Sequence, residues 1–451
     1  LRRVEGPKQE TALSDRNPPV VIVGAGVAGL CCALRLHRAS VPFVLLDAAE
    51  RVGGRVRTDV QDGFTLDHGF QVLLTAYPEA RKVLDLEALR LRPFAPGALV
   101  RVGEQLHTVA DPWRDPIGAL ASAFAPIGTI ADKLRVLGSR RAVLQGPAEA
   151  AFTRLERTTA AHLKESGFSP TIIHRFFRPF YGGVFLEPDL STSSRMFEFT
   201  FRMFAEGDAA LPAAGIGAIP AQLAAQLPSS AIVLGQAVRR VRPRLVELNN
   251  GERIHARHIV LALPDHAAAP LLYTDVLQPG PWNGTVSVHY AAPEPPYAGA
   301  WLALDGEGDG PVTHLSVQSN VAPEYAPQGT ALVCASTSGL PPEAASRGVE
   351  AAVRRHLRKI VGPMVESWRH LRTDVIPHAL PRRTPSDGGI PTAPRDPRLS
   401  AALRTAERMR GRDTHDVEGI YVCGDHWADP SLNGAMLSGR LAAEAVLDDR
   451  S

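Results

Sequence analysis

The sequence predicts an α/β fold in which a parallel, helix-flanked sheet is interleaved with a second module of mixed sheet and helices. Three observations predict it. A strand, a glycine-rich turn, a helix and a second strand follow one another within the first 50 residues. Strand and helix signals return around 211–264 and again after residue 420. The 451 residues also exceed what one growing core accommodates, so other material lies between those stretches.

Each element has its own signal. Val20–Val23 is a β-branched run, an Ala/Leu-rich stretch to Arg38 reads as a helix, and Val41–Leu46 is a strand ending at Asp47. Residues 51–70 are glycine-rich and aperiodic. Pro78–Leu91 has helical spacing, as does most of Ile117–Lys164, with Phe124, Ile127, Ile130, Leu134 and Leu137 on one apolar face. That face is either ordinary packing or a patch that seeks an interface. Further helices are expected at Ile172–Phe180, Ile216–Leu227, Val349–Ile360 and Asn433–Leu447. Strands are expected at Ala231–Val241, Leu245–Leu248, Arg257–Leu263, repeatedly between 280 and 335, and at Ile420–Cys423.

Composition excludes several classes. With 45% hydrophobic and 21% charged residues the chain is an ordinary globular protein. A net charge of +2 offers no basic field for nucleic acid. Cys31, Cys32, Cys334 and Cys423 show no CxxC or zinc spacing, so they read as buried free thiols in a reducing compartment, and no metal is expected. Residues 1–19 read as a flexible tail rather than a signal peptide, and no apolar run reaches membrane-spanning length. The expected location is cytoplasmic, with peripheral contact at a membrane surface as the alternative.

The turn Gly24-Ala25-Gly26-Val27-Ala28-Gly29 sits where a dinucleotide fingerprint belongs. Gly24 permits the tight turn, Gly26 lets backbone approach a pyrophosphate, and Gly29 lets helix and strand pack closely. The helix N-terminus then offers free N–H groups to phosphate, and Asp47 can accept from an adenosine ribose. Gly53-Gly54-Arg55 adds a loop able to wrap a longer cofactor's diphosphate, which favours FAD over NAD. Asp67-His68-Gly69 follows a short strand and is placed near the flavin, with His68 alternatively structural. Near the C-terminus, Gly424-Asp425 ends a strand, and Asn433-Gly434-Ala435 opens a helix whose N-terminus could steady reduced flavin.

These blocks resemble the flavin-containing amine oxidase superfamily, which includes monoamine and polyamine oxidases, protoporphyrinogen oxidase and the phytoene, carotene and squalene-associated desaturases. The resemblance rests on VVIVGAGVAGL at 20–30, LLDAAERVGGRVRT at 45–58, LDHG at 66–69 and YVCGDHWADPSLNGAMLSGRLAAEAV at 421–446. It departs from the family pattern at Asp47 and Ala49, where a glutamate and often an arginine are usual. It implies a Rossmann-like (glutathione-reductase-like) FAD domain from 20–75, 211–270 and 410–451, with a substrate domain from 76–210 and 271–409. It also implies noncovalent FAD and places Val238 near the adenine or pyrophosphate.

Many amine oxidases of the superfamily carry a lysine in a GxxxK strand. Here Gly284-Thr285-Val286-Ser287-Val288 puts Val288 at that position, and no lysine lies between Lys164 and Lys359. The aromatic density around Phe180, Tyr181 and Phe199 suits a long cavity for an apolar substrate or a plain core, and Trp427 suits a pocket wall or a core position. Dehydrogenation of an apolar, isoprenoid-like small molecule is therefore expected, with oxygen, a quinone or another electron acceptor. Amine or protoporphyrinogen-type oxidation is the first alternative and a non-catalytic FAD-binding protein the second. No catalytic side chain is assigned.

Overall fold

A computed structural model describes residues 18–116, 125–272, 277–341, 344, 348–385, 394–401 and 415–450. Most of the expected tail, and Phe124, lie outside them.

The first sheet is parallel throughout, in the order Ile232–Val233, Phe43–Leu46, Val20–Val23, His258–Leu261, Ile420–Val422. Its strands come from three separated stretches of chain. A parallel sheet needs cover on both faces, and the period of two supplies it. Val20 and Ile22 join the core under the helices Val27–Arg38 and Leu432–Asp448. Val21 and Val23 join the core shared with a small antiparallel sheet, Val238–Arg242, Leu245–Leu248 and Arg253–His255. The two helices cross closely because Gly439 has no Cβ to collide with the Ala28 carbonyl.

The second sheet has seven strands, in the order Arg369–Pro381, Trp282–Ala292, Ala331–Thr337, Val312–Val317, Leu302–Asp305, Gly97–Val102, Gln105–Ala110. All neighbours are antiparallel except Leu302–Asp305 beside Gly97–Val102. Val349, Val353, Leu357 and Ile360 of the helix Val349–Val361 pack on one face, against Val286, Val288 and Tyr290. The alternate residues Thr285 and Ser287 face the opposite way, into a cavity.

Helices Ile130–Val143, Arg178–Phe185 and Ser194–Glu206 complete the second module. Thr129 and Asp132 form a reciprocal capping box that starts the first of these. Pro179 has no N–H to donate one turn back, and the turn before it, Ile173–Phe177, is widened so that the Arg178 N–H reaches the Ile173 carbonyl.

Four stretches differ from expectation. The strand expected over Ala231–Val241 is split, Ile232–Val233 joining the parallel sheet and Val238–Arg242 the small antiparallel one. Residues 51–70 contain a hairpin, Thr58–Gln61 with Phe64–Asp67, turning at Asp62-Gly63, both with positive φ. The Asp-Gly pair was its signal. The helix from Pro78 stops at Val83, because the Asp85 side chain accepts from the Glu87 and Ala88 N–H groups and turns the chain away. On the helix from Ile130, Ile127 just before it is buried, but Ile130 is 75% and Leu134 63% exposed. No helix among the described residues is long and apolar enough to cross a membrane.

Candidate cofactor and substrate cavity

One cavity of about 900 Å³ is lined by the Gly24–Ala28 turn, Arg55, Asp425 and the His68–Gln71 loop, then by aromatic residues, and at its rim by Trp113, Ile130, Leu134 and Leu137. Its two ends are built differently.

At the first end the walls are backbone. Gly24 has φ +108°, and a Cβ at Gly29 would strike the Gly24 carbonyl, so neither position accepts a side chain. The second glycine loop is tied to the first by the Gly53 N–H, which donates to the Ala25 carbonyl at 2.8 Å. Gly54 also lies against Gly26. The helix beginning at Val27 has no side-chain cap and no acid in its first turn, which leaves its N–H groups free for an anion. Asp47 lines the cavity, with one oxygen accepting from the Ala25 N–H at 2.6 Å and the other from the Ala49 N–H at 2.8 Å. Each oxygen keeps a lone pair for a ribose hydroxyl. These residues fit a dinucleotide.

Arg55 and Asp425, read separately from the sequence, are partners. The guanidinium grips the carboxylate with both nitrogens, at 2.6 and 2.9 Å, and also donates to the Ala379 carbonyl. Burial pushes the Asp425 carboxyl up, but the Arg55 charge and hydrogen bonds outweigh it and hold the group below the ordinary carboxylate range. Both residues line the cavity, as do Gly69 and Ala435.

Other candidates are used elsewhere. Asp67 is fully buried off the cavity, accepting from Thr58 Oγ1, the Ile216 N–H and the Tyr325 hydroxyl, so it joins the hairpin to two other segments. Burial raises its carboxyl to about 6. Asn433 accepts from the Glu79 N–H and donates to Asp429. The Gly434 N–H is capped by Ser431 Oγ, and a Cβ at Gly434 would strike the Asp429 carbonyl, so that glycine serves packing. Val238 belongs to the small antiparallel sheet and does not line the cavity. Val288 points into the second sheet's other core, so a lysine there would not face the cavity.

Of the expected substrate residues, Phe180 and Tyr181 line the cavity. Phe199 does not, because it packs in the core against Tyr77 and Phe152. Trp427 lies in the core of the first sheet, its indole N–H donating to the Asp396 carbonyl, and its neighbour His426 lines the cavity instead. Phe176, Phe201 and Phe204, from the same aromatic density, also line it, and so does His314, which the sequence did not single out. Helical spacing separates Met196, Thr200 and Phe204 on the cavity face from Phe199, and that signal was available in the sequence.

Asp305, Asp309 and His356 bring ligand atoms within 4.8 Å of one another. Arg101 and Lys359 already neutralise these acids, and His356 Nδ1 accepts from the Val312 N–H, leaving Nε2 to meet Asp309. The cluster is an ion-pair network.

The profile of the Flavin containing amine oxidoreductase family matches residues 27–447. The chain belongs to this family. It is a family of FAD-dependent oxidoreductases, and membership implies the capacity to bind FAD. Protoporphyrinogen oxidase 2 of Arabidopsis thaliana is 38% identical over 71 residues, 16% of this chain and 14% of that protein. Polyamine oxidase 3 of Oryza sativa subsp. japonica is 42% identical over 52 residues, 12% of this chain and 11% of that protein. These matches therefore span only a small part of either relative. Two solved structures extend the likeness in fold. A putative protoporphyrinogen oxidase from Exiguobacterium sp. 255-15 has a TM-score of 0.68 at 18% identity, covering 96% of this chain and 99% of its own. A putrescine oxidase mutant has a TM-score of 0.68 at 17% identity, with the same coverage.

Proposed function

We propose that this flavoprotein dehydrogenates a bulky, mostly apolar ring system of the porphyrinogen kind, uncharged in its core and acidic at its edge. The supporting observation is the distribution of charge along the cavity. Its acidic lining among the described residues is Asp47, Asp111 and Asp425, and none lies among Phe176, Phe180, Phe201 and Phe204. A cationic amine therefore meets no counter-charge in the aromatic part, where an apolar ring gains by burial. Arg114, Lys133 and Arg140 line the cavity near Trp113, where acidic edge groups of such a ring would be welcome.

FAD held by the Gly24–Gly29 turn and Asp47 would supply an acceptor for a hydride from a substrate carbon, and would return the electrons to oxygen or a quinone-type acceptor. The chain's own part is to hold the ring in place and exclude water. Phe176 and Phe180 stack at 5.6 Å, and Phe204 meets Phe180 edge to face at 5.2 Å, giving a wall of fixed shape.

Amine oxidation is the second reading, favoured by the likeness to polyamine oxidases. An isoprenoid polyene suits the aromatic wall but makes no use of the cationic rim, where Arg114 pairs with Asp208 at 3.0 Å and Arg140 lies 4.0 Å from Asp111. Anaerobic addition of protoporphyrinogen IX, spermine or phytoene to the FAD-loaded protein separates the three. Bleaching of the flavin by protoporphyrinogen alone is the expected result, and bleaching by spermine or phytoene alone overturns the proposal. Peripheral membrane contact is a companion proposal, for which the exposed apolar rim is the surface. Flotation with liposomes would reveal it.

A further inference from the structure

The loop His68–Gln71 stands where the two ends of the cavity meet. The Phe70 ring turns to Phe94, an aromatic lining residue, which it meets edge to face at 6.0 Å. Gln71 is tied to the cofactor end instead. Its amide nitrogen donates to the Arg55 carbonyl at 3.0 Å and to the His68 carbonyl at 2.9 Å. Both amide N–H groups are therefore used, one on the second glycine loop and one on the turn just before Gln71.

That leaves Oε1. It accepts no hydrogen bond from the described residues, yet it is not sealed in. The lining residues with sealed, unpartnered side-chain atoms are Tyr181, His314 and His426, and the half-buried Gln71 is not one of them. An oxygen neither paired nor sealed, on a residue that lines the cavity, opens on the cavity. The amide cannot be reversed to offer a donor there. Turning it over would set Oε1 against two carbonyl oxygens and lose both hydrogen bonds. The site is an acceptor only.

What it faces follows from the order of parts along the cavity. The Gly24–Gly29 turn and Asp47 suit the phosphates and adenosine of FAD, so the flavin half extends past Arg55 and Asp425 toward the aromatic wall. Gln71, bonded to the Arg55 carbonyl, borders that stretch. The polar edge of an oxidised isoalloxazine is made of acceptors apart from N3–H, and reduction adds a donor at N5. A fixed acceptor gains from the added N–H. We propose that Gln71 Oε1 is an acceptor for the isoalloxazine that favours its reduced state, so that Gln71 raises the flavin's midpoint potential. The inference uses the family's capacity to bind FAD and assumes nothing about the substrate. A hydrogen bond made in one oxidation state only shifts the ratio of the two states by about tenfold, which a two-electron couple reads as about 30 mV.

Equilibrium reduction of the FAD-loaded protein with dithionite, read against a reference dye, gives the potential without any substrate. Gln71→Met and Gln71→Leu remove the oxygen together with the tie to Arg55 and His68. Both are expected to lower the potential by about 30 mV. A loosened loop weakens FAD equally in its two oxidation states and leaves the potential where it was, so the potential separates the acceptor from the tie. Titration of the apoprotein with oxidised FAD supplies the second readout. Weaker binding of oxidised FAD with an unmoved potential assigns Gln71 to the tie, or to a donor present in both states, and overturns the proposal. A raised potential, or loss of FAD by both variants, overturns it as well. A failed porphyrinogen assay beside a lowered potential would count against the proposed function alone.

Discussion

The two ends of the cavity teach different lessons about how a chain encodes a site. The cofactor end is made by consecutive residues whose backbone does the work: Gly24 to Gly29 close one turn, Gly53 and Gly54 the other, and the Gly53 N–H clamps them together. The substrate end is made by single side chains from distant elements, with Phe180, Phe204, Ser287 and His314 meeting only after a helical module and a seven-stranded sheet have assembled. A backbone site tolerates no added atom, whereas a side-chain site tolerates many changes at modest cost.

That contrast is open to direct attack. Gly29→Val places a branched side chain against the Gly24 carbonyl and is expected to eliminate flavin retention, read as a colourless protein after gentle purification. A yellow, fully loaded variant would break the comparison at its strongest point. Next in size, Phe199→Ala is expected to cost about 3–5 kcal/mol in denaturant unfolding, as for other large core aromatics. Its KM should stay unchanged, because Phe199 packs away from the cavity. Arg55→Ala leaves the buried Asp425 carboxylate unpaired and is expected to cost about 3 kcal/mol. Asp425→Asn in the same background should recover much of that loss, measured by the same unfolding curves. Phe180→Ala is expected to raise KM about tenfold. A Phe180→Ala variant with unaltered KM would move the substrate out of the aromatic part.

The smallest effect concerns pH. Burial holds His289 and His314 near 4, below the 6.5 of an exposed imidazole. The unfolded chain therefore takes up protons first as pH falls, and these residues' contribution is lost between about 6.5 and 4. Asp67 acts oppositely. Its carboxyl is raised from 3.8 to about 6, so its contribution is full below 3.8 and disappears as pH rises through 6. Asp67→Asn is expected to flatten that part of a Tm profile taken from pH 4 to 8, raising Tm above pH 6 relative to the wild type. An unchanged profile would show that Asp67 does not titrate in this range.

Legibility followed the same division. The parallel sheet and its glycine turns were readable because period, turn and fingerprint lie within short windows of sequence. The Asp62-Gly63 hairpin was readable too, since an Asp-Gly pair carries its own turn geometry, but glycine-rich surroundings masked it. Asp67, Asn433 and Gly434 lie in stretches that resemble the family's cofactor blocks. Their side chains or missing Cβ atoms serve the packing of Tyr325, Glu79 and Asp429 instead, because nothing in a motif says which neighbour a polar group will meet.

By itself, then, the sequence determined the α/β class, the glycine-lined turn and the acidic end of the second strand, all of which follow from backbone sterics over a few residues. Only the tertiary structure decided that Arg55 is spent on Asp425, that Phe199 and Trp427 are core, and that Val288 faces away while Ser287 and His314 face in. Strand register and helix rotation make those choices, and both are set by burial across the whole molecule rather than by any local pattern.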